Sequence, residues 1–320
     1  MRRCAVVLSL LLLSCGAPAG EAPRPAKRAV EGAPEATLVV LGSGTPIPDP
    51  ERAGPAHAVV MGDEAFLFDA GAGVLRRLEA ARARHPALAP ERVRRVFLTH
   101  LHSDHVLGLD ELLFGAWVLG RERPLEIWGP PGTAALVDGL LQAYAEDRRV
   151  RTEGLEGLRE RGSEAQVREV SPGVALRTSD VEVRAFAVPH GSWTHAYGWR
   201  IDAGGRVIVL SGDTATGDPA AGGAVAGSAV VEACDGCDLL VHEVCSAAGL
   251  ARRGDDARAY HGSFHTTGLE LGRLAARARP SRLVLTHVLF FGESGDSILG
   301  EVREGGYAGE LFLAADLAGY

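Results

Sequence analysis

Residues 96–105 read Val96-Phe97-Leu98-Thr99-His100-Leu101-His102-Ser103-Asp104-His105. The apolar run Val96-Phe97-Leu98 stops at Thr99, which predicts a short buried strand opening into a polar loop. That loop carries four potential metal ligands within six residues: His100, His102, Asp104 and His105. In extended or turning backbone, His100 and His102 project to one side and suit one ion. Asp104 and His105 then turn toward a second ion a few ångströms away.

Working outward, other apolar runs end in the same manner. Leu38-Val39-Val40-Leu41 and Phe66-Leu67-Phe68 are predicted strands. Val207-Ile208-Val209-Leu210 runs into Ser211-Gly212-Asp213, Leu239-Leu240-Val241 into His242-Glu243, and Leu283-Val284-Leu285 into Thr286-His287. His190 follows Ala187-Val188-Pro189. Strands whose ends deliver His and Asp to one rim are how an α/β sheet builds a site at its edge. Helical patterns fit Val74 to Arg84, Leu109 to Leu119, Thr133 to Asp147 and Gly268 to Ala278, with Pro280 just past the last. Arg148 to Val170, dense in Arg, Glu and Gly, reads as a mobile insertion or a solvated helix. The expectation is one α/β domain over residues 37–320, without solenoid repeats.

HLHSDH at 100–105 resembles the metal motif of the metallo-β-lactamase superfamily, and His190, Asp213 and His287 follow in the order of its later ligand motifs. Further stretches resemble the branch of ribonuclease Z and its arylsulfatase and phosphodiesterase relatives. They are Leu41-Gly42-Ser43-Gly44-Thr45-Pro46, Phe68-Asp69-Ala70-Gly71, Tyr197-Gly198-Trp199-Arg200, Val241-His242-Glu243 and Ser263-Phe264-His265-Thr266-Thr267. The resemblance implies a four-layer αββα sandwich. It also implies His100, His102 and His190 on one metal, Asp104, His105 and His287 on the other, and Asp213 bridging. Zinc is the default for such ligands, with manganese or iron compatible with them. The bridging carboxylate argues against a true β-lactamase, whose second metal commonly takes a cysteine at that step; Cys245 lies well past it.

In this branch two ions share a hydroxide that attacks the ester, and Asp104 would orient it. A histidine of an HST-like motif, backed by the glutamate of a His-Glu motif, is thought to protonate the leaving group. His265 and Glu243 hold those positions. Asp69 is expected to anchor the metal-bearing loop by hydrogen bonds. His195 and His261 are either substrate contacts or rim residues, His242 is supporting or structural, and His57 and His85 are ordinary surface or core positions.

The N-terminus, MRRCAVVLSLLLLSC, has two arginines and an apolar stretch too short to span a bilayer, the pattern of an export signal over residues 1–14. Leu12-Leu13-Ser14-Cys15 resembles a bacterial lipobox, so Cys15 is expected to carry lipid and tether a periplasmic protein; the alternative is an ordinary signal peptide cut nearby. Residues 15–36, rich in Ala and Pro, read as a disordered tether. Of the other cysteines, Cys234 and Cys237 form a lone CxxC, open to a disulfide, a redox pair or no role.

The 320 residues carry 33 Lys+Arg against 41 Asp+Glu, a net charge of −8. Removing residues 1–14 takes away Arg2 and Arg3 and no acid, leaving −10. Such a chain does not supply the broadly basic surface of bulk nucleic-acid binding. In ribonuclease Z a basic arm that grips tRNA is inserted soon after the tyrosine-glycine-aromatic-arginine strand. Here only Ile201 to Leu210 separate Arg200 from Ser211-Gly212-Asp213, which leaves no room for it. The expected substrate is therefore a small phosphodiester, with aryl sulfate esters as the alternative. An inactive metal-bearing binding lipoprotein is the alternative from another class, and a tRNA 3′ endonuclease comes last. Relatives of this branch often dimerise, so a homodimer is a further expectation.

Overall fold

A computed structural model describes residues 35–216 and 228–320. The expected signal segment and all of the expected tether but Glu35 and Ala36 lie outside the described residues. The first sheet has the order β1 (Thr37–Gly42), β2 (Ala56–Met61), β3 (Glu64–Phe68), β4 (Arg95–Phe97), β5 (Leu125–Gly129) and β6 (Ala165–Glu169). The second runs from β7 (Gly173–Arg177) through β8 (Val181–Ala187), β9 (Tyr197–Ala203), β10 (Arg206–Leu210), β11 (Leu239–Cys245) and β12 (Arg282–Leu289) to β13 (Glu310–Leu313). Each sheet begins with antiparallel hairpins and ends in parallel strands, from β3 onward in the first and from β10 onward in the second.

The period-2 alternation of strands sorts side chains between the layers. In β1, Leu38 and Val40 enter the core between the sheets, while Val39 and Leu41 pack outward in the core that contains Val74 and Leu78 of helix Val74–Ala81. Phe97 lies in the middle layer, stacked on Phe68 at 5.1 Å and on Trp128 at 4.7 Å, and meets the edge of Trp199 from the other sheet at 5.3 Å. Such fully buried rings each contribute roughly 1.5–3 kcal/mol or more. On the far side, helix Gly268–Ala278 buries Leu271, Leu274, Ala275 and Ala278 against the second sheet, and a capping box between Thr267 and Glu270 starts it. The layers are therefore helix, sheet, sheet, helix.

The helices depart from the sequence expectation in identifiable places. Val74 to Ala81 and Gly268 to Ala278 form, but the expected helix over Thr133 to Asp147 breaks at Tyr144 into Thr133–Ala143 and Ala145–Glu153. Tyr144 leaves helical geometry to stack on Phe114 at 4.4 Å and donate its hydroxyl to Asp110 at 2.9 Å. Leu109 to Leu119 contains a wide π turn, Glu111–Gly115, and the Glu111 carboxylate accepts the Gly73 and Leu75 amides at the start of the neighbouring helix. The expected mobile insertion from Arg148 to Val170 is instead built in. It holds the end of a solvated helix, a 3-10 turn at Glu160–Ser163 and the edge strand β6. Buried Arg121 fastens it, donating to the carbonyls of Leu112, Leu113 and Gly162, and Trp117 donates to Arg159 O.

Candidate metal centre

The loop after β4 is organised by one carboxylate. Asp69, at the end of β3 with φ 60°, accepts the Thr99 amide at 2.8 Å on Oδ1, while its Oδ2 takes the Thr99 hydroxyl at 2.9 Å and meets His105 Nδ1 at 2.8 Å. Its anchoring role, expected from the sequence, is the one the geometry provides. His102 has extended backbone and the short helix Ser103–Val106 follows, so the histidines at 100 and 102 precede the turn while Asp104 and His105 lie within it.

The second sheet delivers its residues singly. His190 follows β8, and its Nδ1 donates to Phe264 O at 2.8 Å, leaving Nε2 free to face the cluster. Asp213 follows β10 through Gly212, whose φ of +62° and close approach to Tyr197 O leave no space for a Cβ. His287 sits in a bulge of β12: Glu243 pairs with Thr286 and Val244 with Val288, so His287 is unpaired, with φ 46°. The bulge turns its ring toward the site.

Three overlapping groups of donor atoms result among the described residues. His100, His102, His190 and Asp213 form one, Asp104, His105 and His287 a second, and Asp213, His265 and His287 a third, each group's atoms lying within 4.8 Å of one another. His102 Nδ1 is 2.9 Å from His100 Nε2 and 3.1 Å from His190 Nε2. Asp213 spans the groups, with Oδ2 at 3.9 Å from His190 Nε2 and 3.4 Å from His287 Nε2, and Oδ1 at 3.4 Å from His105 Nε2. Burial lowers the pKa of His100, His102 and His190, the last to about 4, so these rings are neutral with lone pairs available. Burial alone would raise Asp213, but His287 and His105 hold it well below the usual carboxylate range. His105 Nε2 is buried, finds no hydrogen-bond partner among the described residues, and lies 3.5 Å from Asp104 Oδ2. An orphaned imidazole nitrogen among two carboxylates and further imidazoles is a donor set that fits divalent cations.

Beside this cluster, His265 Nδ1 is 3.3 Å from Glu243 Oε2, while Glu243 Oε1 accepts the Thr266 amide at 2.8 Å. Burial disfavours a charged His265, but the Glu243 carboxylate outweighs it and raises the pKa. The sequence reading assigned no role to His57, which is buried behind the cluster with Nε2 at 3.1 Å from Thr286 Oγ1; burial lowers its pKa to about 3. It gave none to Trp193 or Phe264 either, whose rings lie 5.0 and 6.1 Å from that of His102. A tryptophan three residues past a candidate ligand histidine was the available signal for the first. His195 is exposed, and the His261 ring lies tilted against those of His265 and Phe291 at 6.0 and 4.8 Å. His242 is fully buried and turned onto Glu243 O, and Cys245 is a buried thiol whose pKa is pushed up by burial. Cys234 and Cys237 are joined as a disulfide.

A two-sheet sandwich with helices outside and a buried His/Asp cluster of binuclear type at its strand ends defines a metal-dependent hydrolase of the metallo-β-lactamase fold. The family description Beta-lactamase superfamily domain matches residues 64–288. The chain is 35% identical to Ribonuclease Z of Mycobacterium bovis over 78% of its own length and 85% of that protein. It is also 35% identical to Ribonuclease Z of Mycobacterium avium over 88% of its length and 96% of that protein. The crystal structure of human tRNase Z, short form, superposes with a TM-score of 0.65 at 25% identity, covering 89% of this chain and 98% of that one. The metallo-β-lactamase fold protein YhfI of Bacillus subtilis gives 0.66 at 21% identity, with 89% and 98% covered, and shares the fold. The chain belongs to the metallo-β-lactamase superfamily, in its ribonuclease Z-like branch.

Proposed function

We propose that this protein is an exported, lipid-anchored hydrolase of small phosphodiesters. His100, His102 and His190 would hold one divalent ion, Asp104, His105 and His287 a second, with Asp213 between them and zinc the default for both. The ions, when bound, supply Lewis acidity and neutralise charge at the scissile ester. Asp104, whose Oδ2 is 3.1 Å from His287 Nε2, faces the cluster where the attacking water must be oriented. His265 is the general acid: it gives its proton to the leaving oxygen as the P–O bond breaks, and Glu243 fixes its orientation and raises its pKa.

The small-substrate reading is carried by the β9–β10 connection. Ala203 pairs with Arg206 across Gly204 and Gly205, both with positive φ, so this is a two-residue hairpin turn. A tRNA-gripping arm inserted at this point has no chain to form it. The net charge agrees, and the Cys234–Cys237 disulfide supports an oxidising compartment, as export through the signal at 1–14 and lipid on Cys15 would provide. The second reading, a tRNA 3′ endonuclease, is favoured by the names of the relatives above.

The test uses the full chain with its metal content measured, on bis-p-nitrophenyl phosphate, p-nitrophenyl sulfate and a precursor tRNA, with and without chelator. Chelator-sensitive cleavage of the diester alone is expected. Preference for the sulfate would move the protein to aryl sulfate esters, and trailer removal from the tRNA would overturn the small-substrate reading. Tight binding without turnover in a metal-loaded protein would make it a binding lipoprotein. Lipid labelling that survives in Cys15→Ala would overturn the anchor.

A further inference from the structure

The chain enters the fold at an end that the metal centre does not use. Parallel strands β3 and β4 run toward the cluster, which the segments after them serve at Asp69 and Thr99. Strand β1 is antiparallel to β2, with Thr37 opposite Val60, and Met61 in turn pairs with Glu64 at the start of β3. Glu35 and Thr37 therefore lie at the end of the first sheet away from the cluster, on the level of Glu64 and Arg95. Three strand spacings put β4 roughly 14 Å from β1.

Beside the starts of β3 and β4 opens a cleft of about 480 Å³ that holds five arginines, Arg92, Arg94, Arg95, Arg121 and Arg123. Every acid in its wall already has an arginine. Asp63 pairs with Arg92 at 3.4 Å, Glu64 with Arg95 at 2.9 Å, Glu91 with Arg82 at 3.3 Å and Glu122 with Arg159 at 3.2 Å. Arg121 spends its donors on main-chain carbonyls, and the side chains of Arg94 and Arg123 have no partner among the described residues. Three cations are thus left without a carboxylate, in a chain whose expected mature charge is −10. At the lip of the cleft, just before Gly120, Val118 and Leu119 are 43% and 51% exposed. Arginines beside exposed aliphatic side chains suit a partner that is anionic at its surface and apolar beneath it. A free anion would gain nothing from the aliphatic pair.

We propose that this cleft docks the protein on anionic phospholipid headgroups and holds the metal cluster facing away from the bilayer. This rests on the reading of Cys15 as the lipid-bearing residue. The anchor brings the entry end of the first sheet to the membrane, and Arg94, Arg121 and Arg123 then fix which face of that end meets the lipid phosphates. Val118 and Leu119 reach past the headgroups. The strand ends that carry His100, His105 and their neighbours are left open to substrate on the aqueous side.

The test puts the exported chain on vesicles of phosphatidylcholine alone and of phosphatidylcholine with phosphatidylglycerol, each carrying some nitroxide-headgroup lipid. A fluorophore on Leu119→Cys reports the cleft. One on Ile47→Cys, at a position 65% exposed in the loop after β1, reports the cluster end. The introduced cysteine takes the label, because Cys234 and Cys237 are bonded and Cys245 is buried. Nitroxide should quench the Leu119→Cys probe on phosphatidylglycerol vesicles and leave the Ile47→Cys probe bright, and high salt should reverse the quenching. Arg94→Gln and Arg123→Gln should each lower the ratio of docked to undocked protein roughly fivefold, with metal content and turnover unchanged. Quenching that is equal at the two probes, equal on the two lipids or unmoved in the double variant would overturn the docking surface, while flotation with the vesicles kept the anchor standing. A chain that floats with neither vesicle would overturn the anchor on which the docking rests, and the docking with it. Shielding of the Leu119→Cys probe that grows with protein concentration in the absence of vesicles would give the surface to a second copy of the chain and overturn lipid docking.

Discussion

In the first sheet one loop, residues 99–105, brings His100, His102, Asp104 and His105 to the site, and Asp69 holds that loop; in the second, His190, Asp213, Glu243 and His287 arrive separately from β8, β10, β11 and β12. The first arrangement concentrates the site's order in a few hydrogen bonds to one carboxylate. The second spreads it over strands that the core between and outside the sheets already fixes. A loop-borne set should therefore fail together, and a strand-borne set one member at a time.

Asp69→Ala is the largest way to break this contrast. It leaves the Thr99 amide and His105 Nδ1 buried without their acceptor, and unsatisfied buried groups of this kind cost about 1–3 kcal/mol each. Stability in denaturant should fall by roughly that amount per group, and elemental analysis should find both ions lost. Retention of both would show that the loop is held by other means. His190→Ala and His287→Ala should each remove one side of the cluster. The expected protein is folded and holds about half the wild-type metal, with turnover reduced more than about 10²-fold, since even outer partners of metal ligands are worth 10–100-fold. Loss of all metal from either variant would erase the distinction between the halves.

His265→Ala sharpens the comparison within the second sheet by separating metal holding from proton delivery. Metal content should be unchanged while kcat on a poor leaving group falls about 10²-fold or more. Glu243→Gln should cost less, with a diagnostic pH profile. The Glu243 carboxylate raises the His265 pKa, so the acid form persists to higher pH and activity falls as pH rises through that value. With the carboxylate removed, the alkaline limb should move to lower pH; an unmoved limb would take His265 out of the proton path.

The same contrast explains what the sequence made legible. The loop ligands stand in one string, so strand, turn and chemistry could be read together from residues 96–105. Asp213 and His287 are single residues that became candidates by their place after apolar strands, and the order of motifs in a known family then gave each its part. What aims them is tertiary: a positive-φ glycine at 212 and a bulge at 287, neither of which has a periodic signature. His57 was unreadable for the same reason, because one histidine in an apolar strand reads identically whether its ring meets core or the back of a metal cluster. The helix break at Tyr144 and the fastening of residues 148–170 by Arg121 also follow from side chains distant in sequence, Asp110, Phe114 and Gly162, which local pattern cannot reveal.

The smallest expected effect comes from the opposite end of the second sheet. Cys234 ends the helix Ser228–Cys234 and Cys237 lies just before β11, so their disulfide sits where the strand enters the sheet, whereas Glu243 lies toward the other end of the strand's pairing, on the side of the metal cluster. Both sulfurs are in the outer core with Val230, Leu274 and Ala278, and the Gly236 amide donates to Ala278 O, so the turn has packing and backbone bonds of its own. Closing so short a loop restricts the unfolded chain little, and Cys234→Ala/Cys237→Ala should cost no more than about 2 kcal/mol. Metal content and kcat should be those of the wild type, because the strand-borne ligands are set by the sheet as a whole. If metal occupancy dropped in step with stability, the cluster would depend on the far edge of β11 and the independence of the strand-borne ligands would be lost.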